Sequence, residues 1–176
     1  MSKKKKKATV EKMQEYQRII HPFGPLYDEN SRILILGSFP SVKSREQQFF
    51  YGHPQNRFWK VLAGVLNVPV PQTIEEKKQM LRQNQIALWD VIAECDIIGS
   101  SDSSIRNVVP TDLGRILECA QIRQIYTNGG TATKLFEKYQ KPLLGRDSIG
   151  LPSTSPANAA WSAERLQEAW QKALSI

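Results

Sequence analysis

Arg32-Ile-Leu-Ile-Leu-Gly-Ser-Phe-Pro-Ser41 holds an unbroken apolar run that stops at Gly37. A run this short, apolar at every position and not at alternate ones, reads as a strand buried on both faces, as in the middle of a parallel sheet. Similar runs recur at Ile86 to Ile92, at Ile122 to Thr127 and, more weakly, at Asp147 to Leu151. Helical periodicity fills the intervals at Arg57 to Leu66, Ile74 to Gln83, Asp112 to Ala120, Thr131 to Tyr139 and Ala163 to Leu174. The last places Leu166, Trp170 and Leu174 on one face. A short amphipathic segment, Val10 to Ile20, and a turn-rich stretch, His21 to Ser31, precede the first strand. The alternation predicts an α/β fold in three layers, α/β/α, with a central, mainly parallel four-stranded sheet.

The chain has 176 residues, 40% of them apolar, which suits a single domain over residues 10–176 behind a basic tail at residues 1–9. Net charge is +7, but Lys3 to Lys7 carry five of those charges and the body is nearly neutral. The tail would add only a salt-sensitive pull toward phosphate. No apolar run is long enough to span a bilayer and no secretory leader is legible, so the expectation is a cytoplasmic protein without membrane contact, associated with the nucleoid if the source is bacterial or archaeal. Cys95 and Cys119 are too few for a disulfide framework or a metal cluster. Free thiols and no metal are expected.

In parallel sheets ligands sit outside the carboxyl ends of the strands, so the loops there are the place to look for chemistry. They read Gly37 to Ser41, Asp90 onward, Thr127 to Gly130, and Leu151-Pro-Ser-Thr-Ser-Pro-Ala-Asn158. Each has a plain structural reading beside a functional one. Asn56, just before a helical pattern, is a favoured N-cap. Phe49, Phe50 and Tyr51 suit a core as well as a platform. Asp90 either caps the next turn or presents an acceptor. The amides of Asn128, Gly129 and Gly130 open a helix and could take a phosphate. The prolines and hydroxyls of Leu151 to Asn158 make a rigid loop of small donors, or simply a turn.

The segment Gly37 to Trp59, GSFPSVKSREQQFFYGHPQNRFW, resembles the first motif of mismatch-specific uracil-DNA glycosylases. GSFPS and the later LPSTSPAN resemble the hypoxanthine-DNA glycosylase (DNA-deoxyinosine glycosylase) branch of the same superfamily, and the likeness runs from about Ile33 to the carboxyl terminus. The resemblance implies hydrolysis of the N-glycosidic bond of deaminated bases in DNA, chiefly hypoxanthine, with base flipping, attack by water, no cofactor and a monomeric enzyme. Where mismatch-specific relatives hold a water-positioning Asn, this chain has Phe39, so the resemblance passes the polar catalytic task to Asn56. It aligns Ser153 with a relative's His or Asn near the scissile bond, Tyr51 with the aromatic that stacks on the base, and Asp90 with a base-reading Asn. It aligns Ser155 with the phosphate-pinching serine, and Ala157 with Asn158 with the stretch that enters the duplex. Ser41 and Lys43 fall in the first-motif turn on the expected DNA side, where Lys43 would contact phosphate and not act as a nucleophile. A uracil or thymine mismatch glycosylase and a non-catalytic DNA-binding module of this fold are the alternatives. A zinc deaminase is disfavoured, because the His-x-Glu and Cys-x-x-Cys signatures are absent.

Overall fold

The computed structural model describes residues 15–175. The expected tail at residues 1–9 and the start of the amphipathic segment lie outside them. Four strands, β2 (Ile33–Gly37), β3 (Ile86–Asp90), β6 (Gln124–Asn128) and β7 (Ser148–Leu151), pair in parallel in the order β3-β2-β6-β7. Leu34, Ile35 and Leu36 of the central β2 are fully buried, as a strand covered on both faces must be. Around this sheet stand α2 (Phe58–Leu66), α3 (Ile74–Gln83), α4 (Gly114–Cys119), α5 (Gly130–Leu135), α6 (Lys141–Leu144) and α7 (Ala163–Leu174), with a π turn at Phe136–Gln140 joining α5 to α6. The α/β class and the parallel four-stranded sheet are as the sequence implied. No helix among the described residues is long and apolar enough to cross a membrane.

The structure adds a second sheet that the apolar runs did not announce. Strands β1 (Gln17–Ile20), β4 (Ile92–Ile97) and β5 (Arg106–Pro110) form an antiparallel sheet in the order β1-β4-β5. The described part of the amphipathic segment is therefore a strand. The run Ile86 to Ile92 is not one strand either. It leaves the parallel sheet after Asp90, where Val91 N–H donates to Gly37 O at 2.8 Å, and Ile92 begins β4. The segment around Lys43, expected as a polar turn, is a short helix, α1 (Val42–Gln47). The helix expected from Thr131 begins one residue earlier, at Gly130.

α7 anchors the site end of the sheet. Ser162 caps it by accepting from Arg165 N–H at 3.1 Å. Trp170, fully buried, packs edge-on against Phe58 at 5.8 Å between ring centroids and donates its indole N–H to Pro152 O at 2.9 Å. The helix that closes the core thus also holds the loop after β7. Trp170→Ala should cost roughly 3–5 kcal/mol in urea unfolding through the cavity it leaves. Trp170→Phe should cost about 1–3 kcal/mol for the orphaned carbonyl and lost volume. A loss under about 1 kcal/mol in the alanine variant would contradict the anchoring role.

Candidate active site

The carboxyl ends of all four parallel strands open into a cavity of about 960 Å³, where Gly37, Asp90 and Asn128 meet the loop Pro152 to Asn158. From the antiparallel sheet, the segment Ser100 to Ser103 after β4 closes a further side. A concave site at this end of a parallel sheet is where ligands collect.

Asn56 lies at the centre of a directional chain of hydrogen bonds. Its Oδ1 accepts the first amide of α2, Phe58 N–H, at 2.9 Å, and the Thr154 hydroxyl at 2.9 Å, while the N-cap of that helix is Arg57 and not Asn56 as the sequence suggested. Thr154 in turn accepts from Asn128 Nδ2 at 3.0 Å, and Asn128 Oδ1 accepts the Thr154 amide at 3.1 Å. Because an amide N–H and a hydroxyl already engaged both point at Oδ1, the orientation of the Asn56 amide is fixed. Its NH₂ has no protein partner among the described residues and belongs to the cavity wall. The helix start and Thr154 thus use the oxygen of Asn56 and leave its donor free.

Next in sequence, Arg57 holds the loop through its backbone carbonyls. Nη2 donates to Ser155 O at 2.9 Å and Asn158 O at 3.1 Å, Nε to Thr154 O at 3.4 Å, and Nη1 to Trp161 O. The planar five-donor guanidinium suits such a cluster of acceptors.

Asp90 ends β3 with its carboxylate almost buried. Oδ2 accepts from His21 Nε2 at 2.7 Å, and the two side chains are 6% and 5% exposed. Oδ1 has no hydrogen-bond partner among the described residues and lies over Gly37, where an added Cβ would stand 2.4 Å from it. Only glycine at that position leaves Oδ1 its space. Behind Asp90, Thr111 donates its hydroxyl to Asp90 O at 2.7 Å, and buried Gln140 in the π turn donates to Val91 O at 3.0 Å and Thr111 O at 2.9 Å. Such turns are often placed where a helix must aim one side chain.

Tyr51 stacks on Phe58 with ring centroids 3.9 Å apart and planes 13° apart, in a left-handed backbone conformation at φ 51°. Strain of that kind in a non-glycine residue persists only where its surroundings hold it. Burial, reinforced by the Asp90 carboxylate and opposed by the Asn128 side chain, pushes the phenol well above its ordinary range, so it stays protonated. Its hydroxyl is buried and without a partner among the described residues. Phe49 and Phe50 are both core residues, and Phe50 also lines the cavity. Phe39 lines it too, edge-on to His21 at 5.8 Å.

Several expected contacts are committed elsewhere. Ser41 caps α1, accepting from Ser44 N–H at 3.2 Å and donating to Ser44 Oγ at 3.1 Å, so its hydroxyl is spent inside the protein. Lys43 is half-exposed, 3.5 Å from Glu46, and is absent from the cavity wall. The Gly129 amide donates to Leu151 O at 2.9 Å, which leaves Gly130, exposed at the start of α5, as the free amide of that pair. Gly129 itself has φ +98°, and a Cβ there would meet Ser153 at 2.9 Å. Asn128 spends both ends of its amide on Thr154, and Asn158 turns inward to donate to Ser153 O at 3.0 Å. Ala157 is exposed at the loop tip. Ser153 and Ser155 each accept an amide two residues on, at 3.1 and 3.2 Å, and keep a hydroxyl proton to donate outward.

His21, Arg57, Thr154, Asp102 and Trp161 were not singled out from sequence. Asp102 follows β4 and accepts from Ser38 Oγ at 3.0 Å. Its surroundings push the carboxyl up, the Ser38 bond works against that, and the Asp90 charge adds to it. The run of hydroxyls Ser153-Thr-Ser155 between Pro152 and Pro156 was the one legible signal, and it did not separate buried Thr154 from its neighbours.

Residues 25–174 match the family model of the uracil DNA glycosylase superfamily. A protein from Methanosarcina acetivorans named hypoxanthine DNA glycosylase is 36% identical over 154 residues, which span 85% of this chain and 94% of that protein. One of the same name from Methanosarcina barkeri is 28% identical over 152 residues, 86% of this chain and 95% of its own. A solution NMR structure from M. acetivorans, of a protein assigned to the uracil DNA glycosylases, superposes with a TM-score of 0.74 at 34% identity, covering 88% of this chain and 96% of that one.

If Thr154 links Asn56 to Asn128, then Thr154→Val should speed hydrogen exchange at the Thr154 amide, while Thr154→Ser should not. The valine variant should also lose about 1–3 kcal/mol of stability for the polar groups it strands. Equal exchange in both variants would remove the hydroxyl from the chain of bonds.

Proposed function

The chain belongs to the uracil DNA glycosylase superfamily and is a DNA glycosylase of base-excision repair, and we propose that its chief substrate is deoxyinosine, from which it releases hypoxanthine by attack of water. The relatives named hypoxanthine DNA glycosylase support the choice of hypoxanthine among bases with a ring N–H, and the free oxygen of Asp90, a fixed acceptor on the cavity wall, is the observation that carries its separation from adenine. Hypoxanthine carries a proton on N1 that such an oxygen accepts. Adenine offers a lone pair at N1 and would set two acceptors against each other.

The target carbon is shielded in a stacked duplex, so the nucleotide must be extruded, at a cost of a few kcal/mol that is smallest for a mispaired base. Tyr51, backed by Phe58, supplies a stacking wall that grips without discriminating. Ser153, Ser155 and the Gly130 amide offer outward donors to the phosphates, with exposed Ala157 as the part of the loop that meets the duplex.

Bond cleavage develops positive charge on the sugar and negative charge on the departing purine. The NH₂ of Asn56 donates to a water oxygen and leaves that water a lone pair for the sugar carbon. It holds the nucleophile without deprotonating it, which suits an oxocarbenium ion that needs little activation. No lysine stands among the described residues lining the cavity, which supports water over a Schiff-base nucleophile.

Asn56→Ala should lower single-turnover release of hypoxanthine by about 100-fold or more, with binding to inosine-containing duplex nearly unchanged. Equal losses of thermal stability and activity would mark Asn56 as a structural residue alone. Borohydride should trap no protein–DNA adduct, and Lys43→Ala should weaken binding with a shallower salt dependence while sparing single-turnover cleavage at saturating enzyme. An adduct that vanishes in Lys43→Ala would overturn the water mechanism.

A further inference from the structure

We infer that His21 is a specificity-determining positioning residue: by donating Nε2–H to Oδ2 of Asp90 it turns Oδ1 to the base as an acceptor and so tunes the pocket to bases that carry a ring N–H. The inference rests on the base-reading role proposed for Asp90. A carboxylate only accepts, so the proton of the 2.7 Å contact sits on Nε2. The other ring nitrogen, Nδ1, accepts the Phe23 amide at 3.4 Å, in keeping with that tautomer. The imidazole is held edge-on between Phe23 at 4.6 Å and Phe39 at 5.8 Å, and its backbone N–H is fixed to Ala93 O of β4 at 2.8 Å. His21 therefore has little freedom to release Asp90.

Without that donor, Asp90 would be a nearly buried carboxylate with no partner, free to rotate or to take up a proton and become a donor itself. Either change would undo an edge that only accepts. The surroundings hold the position open for a ligand. Gly37 leaves Oδ1 uncovered, and close to it the buried Tyr51 hydroxyl has no partner among the described residues.

The same geometry makes an unusual prediction for Asp90→Asn. His21 Nε2–H would take the amide oxygen and turn the NH₂ to the base, converting the reading edge from acceptor to donor. The test compares single-turnover base release from single-stranded oligonucleotides that carry deoxyinosine, with a proton on N1, or deoxynebularine, whose N1 is a bare acceptor. The ratio of the two rates is expressed relative to the wild type, so the intrinsic leaving ability of each base cancels. Asp90→Asn should raise the rate on nebularine above that of the wild type, and shift the ratio of the two rates toward nebularine by at least about tenfold. His21→Phe, which keeps the aromatic packing and deletes the donor, should erode the inosine preference by about tenfold, and His21→Gln, which keeps an N–H, should restore part of it. In the double variant the gain on nebularine should disappear, because the amide is free to turn.

Equal slowing of both substrates by His21→Phe, beside a shifted ratio in Asp90→Asn, would overturn the inference and leave Asp90 as the reading residue. If His21→Phe fails to fold, Asp90→Asn decides alone. Loss of inosine cleavage without a gain on nebularine would mean that His21 does not orient the side chain at this position. An unchanged ratio in Asp90→Asn would remove the base-reading role itself, and this inference with it.

Discussion

One guanidinium holds the working parts of the site in register. Arg57 stands at the start of α2, and the carbonyls of Thr154, Ser155, Asn158 and Trp161, all in or beyond the loop after β7, converge on it. These carbonyls lie outside any strand or helix: Thr154 O, Ser155 O and Asn158 O each accept one backbone amide, from Arg57, Asn158 and Trp161, and the guanidinium gives each a second donor and pairs Trp161 O, which keeps the partly buried loop in shape. Arginine supplies several donors from one plane and cannot lose its charge, so one residue ties down the loop's backbone. That in turn sets Thr154 against Asn56 and leaves the Ser153 and Ser155 hydroxyls facing out. The motif Pro54-Gln-Asn-Arg-Phe58 therefore does three jobs in adjacent residues: Asn56 presents a donor, Arg57 fixes the loop, and Phe58 supports the Tyr51 ring.

The two sheets divide the chemistry. The parallel sheet brings Gly37, Asp90 and Asn128 to one end, as such sheets do. The antiparallel sheet carries no cavity residue in its strands, yet the residues that follow β1 and β4 are His21 and the Ser100 to Ser103 segment with Asp102. Both carboxylates of the cavity thus depend on it. Asp90 takes its partner from the end of β1, and Asp102 sits on the turn after β4 and bonds Ser38 back across to the end of β2.

How much of this was legible follows from what each element is made of. β2, α3 and α7 were readable because their apolar residues obey a single period over their whole length. The antiparallel sheet was not, because its strands are short and half-exposed, with Arg18, Glu94, Asp96 and Arg106 on them, so neither a continuous apolar run nor a clean alternation emerges. Asn56, Tyr51 and Asp90, which the structure brings to the cavity wall, stood out because strand-end loops and a family motif single them out. His21 could not, since its meaning comes from a contact with a residue 69 positions away. Ser41 and Asn158, polar side chains of those loops, also line the cavity, but their hydrogen bonds are used to build the loops, which sequence does not reveal.

The reaction assigned to this cavity is hydrolysis of the glycosidic bond of deoxyinosine, in which the oxygen of water ends on the sugar carbon and none enters the base. The most direct test is a single-turnover reaction on an inosine-containing oligonucleotide in ¹⁸O-labelled water, with mass spectrometry of both products. The account predicts free hypoxanthine without label and an intact strand whose abasic sugar carries one ¹⁸O, provided the sugar is reduced at once to prevent later exchange. Release of uracil but not hypoxanthine from matched substrates, or a labelled base with the sugar unlabelled, would contradict it.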